Sequence, residues 1–339
     1  MQAFGAVAVA PWRVEFREVS APEPGPEDLV LDLIHSWISN GTEGSFVRGE
    51  RIAGDTPLAG SDPAPFPLIT GYQKVGRVRE TGSAAGDFRP GEVVFATVSR
   101  VNGMFFPTGG HVSPAVTHVS QIWRVPDGLD PLAVSGLVLT QVGWNTAMRG
   151  QVGPGDAAVV LGDGMVGHWV AQTLRSRGAR VMLVGKHPYR LERFCKRPED
   201  RVVCLGESDP VAVARDWAPE GVQFLAHTMG SVEAIEAFYP VMRRFSHISS
   251  AGFLGHGGGI DIQKLRAREM TLHAPAGWTR ERMDATLDLL ARGGLETIPL
   301  ITHRFPADEA AEAFDLILNR REPVLGVVLD WTGKESGEQ

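Results

Sequence analysis

From residue 1 to about 130 the apolar residues come in short runs, such as LVLDLI at 29–34 and VVFATV at 93–98, broken by Pro, Gly and Asp. No helical period is sustained there, so this stretch reads as a β-rich domain with many turns. Inside it, ERIAGDTPLAGSDPAP (50–65) has the polar, Gly- and Pro-rich composition of a long surface loop, the kind that often serves as a lid or specificity element. The pattern changes at 131. An apolar helix is expected over 131–148, carrying Leu137, Gln141, Trp144 and Met148, and strands and helices alternate from there to about 277. VQFLAHTMGS (222–231) and SHISSAGFLG (246–255) read as strands ending in glycine turns. RERMDATLDLLARGG (280–294) places Met283, Leu287 and Leu290 on one face, and a last helix over 307–319 buries Ala310, Phe314 and Ile317 by the same period. The tail after Trp331, TGKESGEQ, is polar and expected to be loose.

The densest signal is AAVVLGDGMVGHWVAQTLRSRGARVMLVGKHPYR (157–190). It predicts a buried strand over 157–161, a turn on Gly162, Gly164 and Gly167, and a helix with Val170 and Leu174 on one face. Gly178 stops that helix, and a second strand covers 181–184. At G-x-G-x-x-G spacing the first glycine permits the turn, the second lets backbone approach a pyrophosphate, and the third lets helix pack on strand. Met165 and Val166 open the helix, whose free N–H groups and positive dipole end face the phosphates. A bare Gly-rich turn would satisfy the spacing alone; strand, helix and second strand in the right order point to a dinucleotide site. NAD-binding chains place an acid about 20 residues past the glycines, for the ribose hydroxyls. Here Gly185 stands there, followed by Lys186, His187 and Arg190, and no carboxylate ends the strand. Solvated surface cations would look the same; the missing acid favours NADP(H), with the cations pairing its 2′-phosphate.

With 339 residues there is room for two domains, and 43% hydrophobic with 22% charged residues describe an ordinary globular protein. A net charge of −7 speaks against a nucleic-acid partner. No apolar run reaches membrane-spanning length and the first residues lack a charged leader, so no membrane partner and a cytoplasmic location are expected. Two cysteines, Cys195 and Cys204, are too few for a disulfide scaffold or a four-thiolate zinc site and read as packing residues.

Further motifs fall in a telling order: NGTE (40–43), GYQ (71–73), GEVVFA (91–96), PDGLDPLAV (126–134), GDGMVG (162–167) and PLITHRFPADEAAEAFDLI (299–317). This order resembles the medium-chain dehydrogenase/reductase superfamily of the zinc alcohol dehydrogenase type, from about Val14 to Trp331. NGTE with GYQKVGRV and the C-terminal REPVLGVVLDW is similar to the subgroup that includes bacteriochlorophyllide hydroxyethyl dehydrogenase. The resemblance implies an α/β protein: a β-rich GroES-like catalytic domain (1–140), a doubly wound Rossmann domain (141–277), and elements over 278–339 that return to the first domain. It also implies a homodimer, paired through the edge strand MTLHAPAGW (270–278), whose apolar edge would otherwise invite aggregation.

The departures from that family are the informative part. The resemblance assigns catalytic zinc to a Cys, a His and a second Cys or Asp, with an open fourth position. At those positions this chain has Asn40, Tyr72 and Leu137 or Val138; Gln73 replaces the accompanying glutamate, and 97–118, where the structural zinc lobe belongs, has no cysteine. A zinc-free protein is expected. Hydride transfer to a carbonyl still needs a donor at the oxygen. Tyr72 can donate its phenol, or it can merely fill the space the metal left. The resemblance gives Thr42 the hydroxyl that touches substrate, replaces the relay histidine by Ser45, and leaves Glu43 as an acid or as a structural carboxyl. Asn40 and Gln73 are expected to pair with each other or with backbone. His35, His111 and Asn145 are within the same reading, and Trp37 and Trp144 are expected to wall the pocket. Three functions follow for a small-molecule substrate: an NADP(H)-dependent ketone/secondary-alcohol oxidoreductase using Tyr72 and Thr42, a reductase of an activated C=C bond, or a dinucleotide-binding protein without turnover.

Overall fold

The computed structural model of the chain describes residues 1–333, so positions 334–339 of the polar tail lie outside the described residues. The chain divides into two units, Met1–Val138 with Thr297–Gln339, and Leu139–Glu296. The helix Arg280–Ala291 therefore packs in the second unit, and the return to the first begins at Thr297.

Among the described residues the first unit carries a seven-stranded sheet. Its path runs Ile122–Arg124, Val93–Ala96, Lys74–Thr81, Asp28–Ile38, Gly326–Asp330 and Ile301–Pro306, with Ala115–His118 also on Asp28–Ile38. A second sheet pairs Gln2–Ala10 with Arg13–Ser20, Leu68–Ile69 and Val112–Ser113. The long strand Asp28–Ile38 is hydrogen-bonded along both edges and buried at most of its positions, which the apolar run 29–34, broken by Asp32, anticipates in part. Trp37 lies in this core rather than on a pocket wall: a Cβ on Gly136 or Gly326 would stand 2.8 Å from its ring. Phe314 and Ile317 of the helix Ala310–Asn319 pack against Val327 and Leu329 in the same unit. One short helix, Thr42–Val47, interrupts the β-rich region where no helical period was legible; six residues are too few to show one.

The second unit holds a six-stranded parallel sheet ordered Arg201–Cys204, Arg180–Gly185, Ala157–Leu161, Val222–His227, Met242–Ser250, Thr271–His273. Ala157–Leu161 is buried at every position because the sheet is covered on both faces. Val159 and Leu161 pack with Met182, Val184 and Leu225, while Ala158 and Val160 pack on the opposite face with Val170, Leu174 and Leu183. The helix Met165–Ser176 ends before Gly178, whose φ of +88° suits the glycine stop. Strand order reverses between Ala157–Leu161 and Val222–His227, the topological switch at which open α/β sheets bind ligands. Of the two cysteines, Cys195 is exposed rather than packed, in the charged stretch following Phe194.

Candidate functional site

The glycine turn of the second unit leaves open space at the N-terminus of a helix. Gly162 has φ +121°, a conformation L side chains rarely adopt, and a Cβ there would meet the Thr228 hydroxyl. Thr228 itself ties the two switch-point strands together, its N–H and hydroxyl both donating to the Leu161 carbonyl (2.9 and 3.0 Å). A Cβ on Gly167 would fall 1.9 Å from the Gly162 carbonyl oxygen, so close helix–strand packing needs glycine there. Gly164, by contrast, has open space where its Cβ would be, and it caps the helix that begins at Met165 and Val166. An open cradle above a helix N-terminus fits a dinucleotide pyrophosphate.

The loop after the second strand departs from the sequence reading in one respect. No acid follows Arg180–Gly185, but the fold brings the Asp163 carboxyl, from inside the glycine turn, to the same place. Its Oδ2 accepts the amide N–H groups of Lys186 (2.8 Å) and His187 (2.7 Å), and the His187 ring Nδ1 lies 3.0 Å from it. Arg190 Nη1 stands 3.6 Å from Oδ1. Burial works to raise the Asp163 pKa, but the His187 hydrogen bonds and the charges of His187 and Arg190 outweigh it and hold the group below the usual carboxylate range. Gly185 is buried beneath this carboxyl, Lys186 is exposed, and His187 and Arg190 are half-buried. The signal available in the sequence was the acid between two glycines facing a glycine at the usual acid position.

In the first unit, Thr42, Glu43 and Ser45 lie on the short helix Thr42–Val47, and Tyr72 follows Gly71, whose φ is +85°. Glycine is needed there because a Cβ would lie 2.7 Å from the His111 ring. Glu43 is buried, its Oε1 accepting the Ser39 N–H (2.8 Å) and its Oε2 lying 2.9 Å from His111 Nε2. His111 Nδ1 is 2.8 Å from the Ser36 hydroxyl, which accepts from Trp331 Nε1 (2.8 Å). One assignment satisfies the whole chain: Trp331 donates to Ser36, Ser36 to Nδ1, and Nε2–H to Glu43. Both Glu43 oxygens are thereby engaged in holding the strand–helix junction.

Burial pushes the half-buried Tyr72 phenol well above its ordinary range, and Glu43 beside it adds to the rise. Hydrogen bonds from Ser39 and Thr42 and the charge of Arg51 act the other way. Arg51 was hidden in the segment read as a surface loop. It opens a hairpin of Arg51–Ala53 with Thr56–Pro57, is 4% exposed, and donates to the Ser45 hydroxyl, Gly54 O (3.0 Å) and Asp55 Oδ1 (2.8 Å). Ser45 in turn donates to the Thr42 carbonyl (2.8 Å). Asn40 and Gln73 pair with backbone, donating to Leu325 O (2.6 Å) and Trp37 O (3.1 Å). At the two positions the resemblance gives to zinc ligands, Asn40 and Tyr72 bring an amide and a phenol, neither a thiolate nor an imidazole. Among the described residues no group of three His, Cys, Asp or Glu is placed to hold a metal. His35 lies apart, 3.9 Å from Asp330.

No protein-family model matches the chain. Over 322 residues it is 29% identical to 2-desacetyl-2-hydroxyethyl bacteriochlorophyllide A dehydrogenase of Rhodobacter capsulatus, covering 91% of this chain and 92% of that one. It is 23% identical to an alcohol dehydrogenase of Cupriavidus necator, over 96% and 97% of the two chains. Among solved structures, a putative zinc-binding dehydrogenase from Sinorhizobium meliloti bound to NADP superposes with a TM-score of 0.83 at 21% identity, over 97% of this chain and 99% of that one. These likenesses to dehydrogenases, over nearly the whole chain, are consistent with the medium-chain dehydrogenase/reductase superfamily. The named relatives are dehydrogenases, and the chain is an oxidoreductase. Another structure of the same fold, an alcohol dehydrogenase from Escherichia coli complexed with NADH, has a TM-score of 0.83 at 17% identity over 97% and 99% of the two chains. Among the described residues no helix of the chain is long and apolar enough to cross a membrane.

Proposed function

We propose that the chain is a zinc-independent, NADP(H)-dependent oxidoreductase that moves a hydride between the nicotinamide and a ketone or secondary alcohol. The observation that carries this reading is the Tyr72 phenol, hydrogen-bonded by Ser39 and Thr42 at the position the family gives to a metal-binding histidine. When bound, the dinucleotide supplies or accepts the hydride. Negative charge then develops on the carbonyl oxygen, and Tyr72 donates to it. Burial, reinforced by Glu43, keeps the phenol protonated at neutral pH, so it has a proton to give. Burial disfavours a lasting phenolate, the Ser39 and Thr42 hydroxyls and the Arg51 charge offset that only in part, and Thr42 offers the route by which Tyr72 regains a proton. Glu43 positions this group through Ser39 and His111. Purified protein incubated with NADPH and a panel of ketones and enones, followed by loss of NADPH absorbance, tests the reading. Ketone-dependent oxidation by a sample holding far less than one zinc per chain supports it; stoichiometric zinc, or turnover confined to enones, replaces it.

Lys186 and Arg190 carry the preference for NADP(H), each charged contact to a 2′-phosphate contributing about 1.5–3 kcal/mol. The double change Lys186→Ala, Arg190→Ala is therefore expected to weaken NADPH binding at least about a hundredfold while NADH binding barely moves. Fluorescence titration with both cofactors checks this, and equal weakening of the two overturns it. A homodimer completes the proposal. Thr271–His273 is the edge strand of the parallel sheet and Leu272 is 39% exposed on it, an edge that a second copy would cover. Light scattering at micromolar concentration should give twice the 36.6 kDa chain mass; the monomer mass would count against pairing.

A further inference from the structure

We propose that Asp163 is the positioning residue for dinucleotide selectivity: a relocated acid that shapes the Lys186–His187 loop instead of binding the ribose. The inference rests on the reading that this loop receives a 2′-phosphate. Three observations carry it. Asp163 and Gly185 are mutually exclusive in size, since a Cβ on Gly185 would lie 2.3 Å from Asp163 Cβ and 2.4 Å from its Oδ2. An acid at the strand end and an acid in the glycine turn cannot coexist, so the glycine at 185 is the counterpart of the aspartate at 163.

The second observation is where the Asp163 lone pairs go. Oδ2 accepts two backbone N–H groups, and the His187 ring nitrogen Nδ1 lies 3.0 Å from Oδ2 and 3.1 Å from Oδ1, with Arg190 beyond it at 3.6 Å. A carboxylate only accepts, so Nδ1 carries the proton and Nε2 is the ring nitrogen not committed to Asp163. An acid that selects NAD needs free lone pairs for two ribose hydroxyls. This one has spent its own on the protein and is 5% exposed. The third is charge. Asp163 neutralises one cation of the loop, yet Lys186 and Arg190 together leave it net positive; its bonds pin the Lys186 and His187 backbone, and Arg190 stands beside it on the helix Pro188–Leu191, at the strand end where a 2′-phosphate would sit. The anchor thus fixes the Lys186–His187 backbone ahead of ligand, which lowers the ordering cost of binding an anion there.

The test is a pair of titrations, NADPH and NADH against wild type, Asp163→Asn, Asp163→Ala, Gly185→Asp and the swap Asp163→Gly with Gly185→Asp. Circular dichroism establishes folding of each. Asp163→Ala should weaken NADPH about tenfold or more, with NADH changed by less than about threefold, and Asp163→Asn should fall between, because its amide oxygen keeps one acceptor. Gly185→Asp alone should lower the thermal midpoint, since its Cβ has no room. The swap should restore that midpoint, free the Lys186 and His187 amides, and move the preference toward NADH by about tenfold or more. Tighter NADPH binding in Asp163→Ala would overturn the proposal, because the carboxyl would then be occupying the phosphate's place. So would a selectivity ratio unchanged in both Asp163→Asn and the swap. A wild type that prefers NADH refutes the cofactor reading by itself, and is distinguishable from failure of the Asp163 role, which is read from changes in the ratio.

Discussion

Tyr72→Phe is expected to lower kcat by about 10²–10³-fold, the usual cost of removing one donor from a developing oxyanion. The substitution deletes the hydroxyl and keeps the ring, so thermal stability and cofactor affinity should hardly change. Without the phenol, the Ser39 and Thr42 hydroxyls lose the oxygen they point to, and neither is held where it can replace a proton donor of that reach. If Tyr72 only fills space, the pattern reverses: Tyr72→Phe turns over at near wild-type rates and Tyr72→Ala destabilises. Thr42→Val, at nearly constant volume, tests the proton route in parallel and should also slow turnover. Near-normal rates in both Tyr72→Phe and Thr42→Val would eliminate the mechanism and make the His111–Glu43 pair the next acid to test.

Lys74→Met is expected to stabilise the protein at neutral pH. Lys74 is fully buried in the strand Lys74–Thr81, where its ammonium donates to the Thr97 carbonyl, and among the described residues no carboxylate pairs with it. Burial alone lowers its pKa from 10.5 to about 7. Below about pH 7 the native state carries a desolvated charge. Between about 7 and 10.5 the unfolded chain binds a proton that the native state lacks, so stability rises with pH across that window. The gap between the two pKa values corresponds to about 5 kcal/mol at most. Methionine removes the charge but leaves the Thr97 carbonyl short of a partner, so the net gain at pH 6.5 should be about 1–4 kcal/mol. By pH 9.5 most of the advantage should be gone, because the solution pH is then close to the unfolded-state pKa of 10.5 and deprotonating Lys74 on folding costs little. Urea unfolding at both pH values checks this. A variant no more stable than wild type at pH 6.5, or a gain that does not shrink with pH, would refute it.

Much of the fold was legible because it rests on local patterns. Ala157–Leu161 reads as a covered strand because every residue in it is apolar, and Gly178 stops a helix because a left-handed φ is needed there. Two glycines of the turn announce themselves for a similar reason: Gly162 adopts a φ of +121°, and Gly167 faces the Gly162 carbonyl five residues before it. Asn40 and Tyr72 at the family's metal positions were likewise visible from order alone. What sequence could not reach are the contacts made between distant segments. Arg51 sits in a stretch whose composition is that of a loop, and only the hairpin buries it against Ser45. His111, Ser36 and Trp331 are 75 or more residues apart in each contact that joins them, so nothing periodic connects them. Asp163 is the clearest case. Its neighbours in sequence say only that a turn is present, while parallel pairing of Ala157–Leu161 with Arg180–Gly185 carries its carboxyl onto the Lys186 and His187 amides. The sequence by itself determined the elements and the vacant acid position, since both depend on residue type and spacing. Tertiary structure decided which carboxyl fills that position, because that depends on where two strands lie side by side.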